Sequence, residues 1–284
     1  MNEDQKYKNE NTFFNSVEIP YTRSKEDVWK QINAETEKEN LIKMKPKRSS
    51  LWVYPAAAVV LVLFGSTLFF RFYTNTISAP VGQHITAELP DGSKLWLNAS
   101  TTVKYYPYWW RFTRKLELEG EAYFEVQKGK TFTVVSDHAE TQVLGTSFNI
   151  YARNDDYKVH CLSGKVKVTA KKGDFKILLP DESLAVKDNA IVLPELPEKA
   201  ENAIAWISNE FRFNGVPLED VFEELERQFA IEIKVSVNTS DRYTGNFKRG
   251  SSPEQAFDLI CKPNNLEYIK IDQNTYEIKP RPFE

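Results

Sequence analysis

The chain is poor in the residues that build metal centres and disulfide scaffolds, with two cysteines and three histidines among 284 residues. Cys161 lies in a strand pattern and Cys261 on the apolar face of a helix pattern. A free thiol in such places is a small hydrophobe, so no disulfide is expected. His84, His138 and His160 are scattered, none at helical spacing from another ligand, and read as surface or strand-face residues. No metal and no cofactor are expected. There is no nucleophile elbow and no phosphate-binding loop: Gly145-Thr146-Ser147 precedes no helix and reads as a strand turn. The net charge of −3, with no basic run outside one short cluster, argues against direct nucleic-acid binding.

The most informative absence is charge between Ser49 and Phe70. About 20 apolar residues in a helix cover roughly 30 Å, the hydrocarbon thickness of a bilayer, so 49–71 is expected to span a membrane. Lys43, Lys45, Lys47 and Arg48 crowd the N-terminal flank, while only Arg71 closely follows. That bias places residues 1–48 in the cytoplasm and exports the rest. Trp52, Tyr54, Phe72 and Tyr73 read as interfacial anchors. A signal peptide is disfavoured by the polar segment ahead of the run and by the missing small-x-small site after it. A buried core helix would carry a polar stripe.

Residues 1–48 are too few to bury much of a core. Ser24 is an N-cap candidate with Asp27 three positions on, and Val28, Trp29 and Ile32 then share a face. Phe13 and Phe14 lead a second apolar element upstream. Such surfaces invite a partner protein.

After a linker at 72–84, residues 85–192 read as short strands separated by turn signals such as Pro90-Asp91-Gly92, Gly120 and Ser163-Gly164. This predicts an all-β unit, a sandwich or a short β-solenoid. ITAELPDGSKLWLN is echoed by FKILLPDESLAVKDN, which would favour stacked repeats. Residues 193–205 read as a second linker. Residues 206–284 change pattern to β-α-β-β-α-β-β, a small α+β module with two helices on one face of a small sheet. Pro217 opens the first helix; Ser252 and Pro253 open the second.

Two clusters offer chemistry. Glu117, Glu119 and Glu121 alternate along one strand, with a spacing near that of paired catalytic acids, yet Leu116 and Leu118 between them mark the acids as the wet face. No catalytic residue and no enzyme activity are expected. The aromatic run Tyr105–Phe112 suits a carbohydrate platform, a protein contact or core packing. A membrane-anchored module binding an envelope glycan or polymer is the second functional reading.

Four blocks, LPDGSKLWLN, GEAYFEV, LGTSFNIYA and LSGKVKV, stand in order across residues 89–168 and resemble the FecR family of sigma-factor regulators. The tail from WISNEFRFNG resembles the STN-like module (secretin/TonB N-terminal-like) at the end of Bacteroidetes-type members. The resemblance implies a single-pass protein of the bacterial inner membrane, with its C-terminus in the periplasm. Its cytoplasmic part would hold an extracytoplasmic-function sigma factor through Val28, Trp29, Ile32, Phe13 and Phe14. The exported tail would meet the periplasmic signalling domain of a TonB-dependent outer-membrane transporter, with Phe211, Phe213, Tyr243 and Phe247 facing it. Envelope proteases would then release the sigma factor. Gly65-Ser66-Thr67 would be a weak-helix patch for intramembrane cleavage, or a small-residue packing site. The 48 cytoplasmic residues are fewer than the helical domain of many longer relatives. Both a full clamp and a peptide-like helix stay open, as do inhibition and activation.

Overall fold

The computed structural model of the protein describes residues 22–39, 53–194, 199, 201–236, 241–250 and 252–282. The chain divides into two compact units, residues 1–61 and 62–284.

Helix α1 (Lys25–Glu39) begins at the expected cap. Ser24 Oγ accepts the Asp27 amide at 3.3 Å and donates to the Asp27 carboxylate at 2.9 Å, satisfying a donor that the first turn leaves free. Helix α2 (Val53–Phe72) is 20 residues long, with Pro55 in its first turn, where a missing N–H costs nothing. Its stretch Tyr54–Phe72 is long and apolar enough to cross a membrane, and none of it is buried in protein. Trp52 and residues 49–51 of the expected span lie outside the described residues.

Thirteen strands form one continuous sheet folded on itself. They are β1 (Asn75–Ala79), β2 (Ile85–Glu88), β3 (Lys94–Leu97), β4 (Thr101–Tyr105), β5 (Arg114–Glu125), β6 (Phe132–Val135), β7 (Ala139–Val143), β8 (Ser147–Arg153), β9 (Asp156–Ser163), β10 (Val166–Ala170), β11 (Phe175–Leu178), β12 (Ser183–Lys187) and β13 (Ala190–Val192). Strand β5 belongs to both layers. Its first half pairs with β4 and, in parallel, with β6; its second half pairs with β3 and β8. The change of layer falls at Gly120, whose φ is +111°, and a Cβ there would lie 2.7 Å from the Thr101 Cα. Only glycine meets both conditions.

The layers enclose a single core. Phe124 stacks on Phe148 at 5.0 Å within one layer and meets Phe132 of the other edge-on at 6.2 Å. Thr141 of β7 and Tyr157 of β9 share a hydroxyl hydrogen bond of 2.6 Å inside it. The domain is therefore a sandwich, which decides between the two expected architectures. The echoed Leu-Pro-Asp-x-Ser turns do not mark a repeat. The first joins β2 to its partner β3, whereas the second leads from β11, paired with β10, to β12, paired with β9 and β13. The first turn is fastened by Arg114, which donates to Asp91, to the carbonyls of Gln127 (2.9 Å) and Lys130 (2.8 Å), and through Nη2 to Ser93 Oγ (3.2 Å).

The expected linker 72–84 contains β1, paired antiparallel with β4. Only Ile77 and Ala79 of β1 turn inward, so its sequence carries too little apolar pattern to be read as a strand. The expected linker 193–205 runs into a 3₁₀ segment, Asn202–Ser208.

The C-terminal part holds β14 (Glu210–Pro217), α3 (Leu218–Phe229), β15 (Glu232–Val235), β16 (Arg242–Lys248), α4 (Pro253–Cys261), β17 (Leu266–Lys270) and β18 (Thr275–Pro280). The single small sheet expected from sequence is two: a ribbon β14–β16, and a three-stranded sheet with β18 between β15 and β17. A register shift between Phe213 and Val216 bends the ribbon. Val221, Phe222 and Leu225 of α3 pack with Phe257 and Ile260 of α4 and with Tyr276 and Ile278 of β18. Cys161 and Cys261 are both free and buried, and burial pushes their thiols up to about 11 and about 12.

Candidate functional site

Every described side chain of residues 22–37 is exposed. Val28, Trp29 and Ile32 keep 40%, 56% and 46% of their surface open to solvent, with Trp29 the most open. An indole left in water on a capped helix is an apolar anchor without a pocket. Phe13 and Phe14, expected beside it, lie outside the described residues.

Gly65, Ser66 and Thr67 are helical within α2. The Ser66 and Thr67 hydroxyls both donate to the Leu63 carbonyl, at 2.9 and 2.7 Å. A Cβ added at Gly65 would touch nothing within 4 Å. The hydroxyls are thus satisfied without a neighbouring helix, in the back-bonded geometry that loosens a helix locally.

The four aromatics expected to face a partner share one face of the β14–β16 ribbon, and that face turns toward the module's own core. Phe211 and Tyr243 are buried, Phe213 and Phe247 half-buried. Phe211 stacks on Phe229 of α3 at 6.1 Å and lies 5.0 Å from Phe247. Phe211 and Tyr243, expected to face a partner, have their side chains in the module's own core. With only two strands, the ribbon must use its aromatic face to cover the helices. Arg212, Asn214, Arg242, Thr244 and Asn246 stand exposed on the other face.

A polar seam joins the sandwich to the C-terminal module. His84 Nε2 donates to Gln228 Oε1 (3.0 Å), and Gln228 Nε2 donates to Asn98 Oδ1 (2.7 Å). Asn98 and Asn149 then each donate to one oxygen of Glu121, at 2.8 and 2.9 Å. The Gly82 amide donates to the Arg227 carbonyl (2.7 Å), and Arg249 donates to the Gly82 carbonyl (3.2 Å). Burial, and then the nearby Glu224 carboxylate, raise the Glu121 carboxyl above its usual range. Burial pulls His84 below its ordinary value, so it sits neutral beside Arg249. A cleft of about 400 Å³ opens at the seam, lined in part by His84, Trp96, Trp206 and Arg249.

Sequence reasoning missed this seam. Glu117 and Glu119 are on the wet face as expected, but Glu121 is buried, because beyond Gly120 the strand has entered the other layer. His84 is a half-buried seam residue. One signal was available: Asn98, Glu121 and Asn149 each stand in one of the first three sequence blocks, and they meet in one hydrogen-bonded cluster. Thr146 of the third block also donates to the Lys165 carbonyl of the fourth, at 3.0 Å. Among the described residues, no group of three or more His, Cys, Asp or Glu side chains is placed to hold a metal.

Comparison with known proteins follows the same division. The model of "FecR protein" matches residues 75–167 and that of "FecR, C-terminal" matches residues 210–278. Two crystal structures of a candidate anti-sigma factor from Parabacteroides distasonis ATCC 8503 superpose with a TM-score of 0.68 at 29% identity. They cover 73% and 74% of this chain and all of their own. No curated protein matches.

Proposed function

This chain belongs to the FecR family, and we propose that it is a single-pass membrane regulator whose helix α1 holds a sigma factor at the cytoplasmic face. The observation that carries the reading is the exposed Val28–Trp29–Ile32 face on a capped helix whose described side chains bury nothing. A helix laid into a partner's groove uses apolar anchors at this spacing. The likeness to the Parabacteroides structures supports sigma-factor regulation as the purpose.

In this reading the positive flank keeps α1 in the cytoplasm, α2 crosses the inner membrane, and the sandwich with its C-terminal module stands in the periplasm. The module receives the signal from the signalling domain of a TonB-dependent transporter. The polar outer face and free edges of the β14–β16 ribbon are the surfaces it would offer, since the aromatics face inward. Docking there would strain the seam at Gln228 and Gly82 and so be felt by the sandwich. Release of the sigma factor follows envelope proteolysis, with the back-bonded turn at Gly65-Ser66-Thr67 as the place where α2 is opened.

The test is recovery of the full chain from its own cells, beside a version lacking residues 25–39. The reading expects a sigma factor with the first and none with the second. Equal recovery, or none in either, removes it.

A further inference from the structure

The aromatic loop between β4 and β5 is used by nothing described above. We propose that it is a second membrane contact, an interfacial anchor that seats the sandwich directly on the lipid headgroups beside the end of α2.

Trp110 fixes the inner side of the loop. It is buried between Tyr105 and Phe132, with ring distances of 5.5 and 5.7 Å. The outer side is bare: Tyr108 and Phe112 keep 55% and 63% of their surface exposed, and Phe112 lies 4.6 Å from Trp109. This bare side adjoins the last turn of α2. Tyr108 meets Phe70 at 4.8 Å and Tyr73 at 5.4 Å, while the Arg71 guanidinium lies over Trp109 at 4.9 Å. Phe70 to Tyr73 are where the apolar run ends, so a ring touching them stands at the level of the membrane–water boundary. Trp and Tyr concentrate at that level because one part of each ring is apolar and the other polar. The charge agrees. From Gly92 to Leu116 there is no acidic residue, while Lys94, Lys104, Arg111, Arg114 and Lys115 are basic. Arg114 is committed to Asp91, which leaves the exposed Arg111 and Lys115 for lipid phosphates. A glycan platform would need these rings free of the span; here Tyr106, Tyr108 and Trp109 meet its last turn. The inference holds for either orientation of the chain, because loop and helix end lie on the same side.

The inference rests on α2 being a span, and the experiment separates the two. The full chain is placed in nanodiscs of phosphatidylcholine and phosphatidylglycerol carrying a doxyl quencher either near the headgroup, to read positions 108, 112 and 175, or deep in the acyl chains, to read position 62. An NBD probe is attached through Tyr108→Cys or Phe112→Cys, with Val62→Cys inside α2 and Phe175→Cys on β11 for comparison. Cys161 and Cys261 are buried and stay unlabelled. Headgroup-level quenching at 108 and 112 should exceed that at 175 by about twofold or more, as for side chains in an interfacial belt. Quenching at 62 with none above the 175 level at 108 and 112 overturns the anchor and leaves the span standing. A loop facing a protein or a glycan would give that result. No quenching at 62 overturns the span and the anchor together.

Discussion

Helices α1 and α3 are built from similar material and end differently. Each opens with acidic residues in its first turn and carries an apolar stripe at helical spacing. In α3 the stripe of Leu218, Val221, Phe222 and Leu225 is closed over by the second helix and two small sheets. In α1 the stripe of Val28, Trp29 and Ile32 stands exposed. Sequence pattern makes a helix amphipathic, but the elements that follow decide whether its apolar face is core or docking surface. The α3 stripe stabilises the chain; the α1 stripe is available to another chain.

Substitutions should separate the two roles sharply. Leu225→Ala removes a fully buried side chain and should lower unfolding stability by about 3 kcal/mol, read as a drop in the urea midpoint. Ile32→Ala, on the open face of α1, should move that midpoint by less than about 0.5 kcal/mol. A large loss at Ile32 would mean that α1 is packed within the chain, and the comparison would fail. At the seam, Gln228→Ala removes the link between α3 and Asn98 and should cost about 1–2 kcal/mol in the same assay. It should also speed proteolysis of the C-terminal module relative to the sandwich. An unchanged digestion pattern would show that the module is held by other contacts.

The smallest expected effect is on pH dependence. Glu121 has its carboxyl raised by burial above the ordinary value of 4.5, so the folded chain binds its proton more tightly than the unfolded chain does. Stability contributed by the protonated form is present below that value and declines as pH rises through the window above it. Glu121→Gln should flatten this decline between pH 4.5 and neutrality. The same slope in the variant would assign it to another group.

What could be read from the sequence was local. The charge-free run, the Ser24 cap, the alternation of β5 before Gly120 and the apolar faces of α3 and α4 are short-range patterns, and each has its counterpart in the structure. What could not be read depends on residues far apart in the chain. Asn98 and Gln228 bond across 130 positions, and neither carries a mark of it. The passage of β5 between layers turns Glu121 inward while Glu119, two positions earlier, stays wet. Phe211 and Tyr243 alternate as any half-exposed ribbon would, and only the presence of α3 and α4 on that side buries them. Strand β1 carries only Ile77 and Ala79 as apolar residues and exists because β4 offers it a free edge.

The most direct measurement is a calorimetric titration of the full chain with the sigma factor recovered alongside it, comparing wild type with Trp29→Ala. The account predicts binding weakened by about 2 kcal/mol, near thirtyfold, because an exposed indole becomes the buried anchor of the complex. The melting temperature of the free chain should be unchanged, since Trp29 is exposed. Equal affinities for the two proteins would contradict the assignment of α1 as the docking helix.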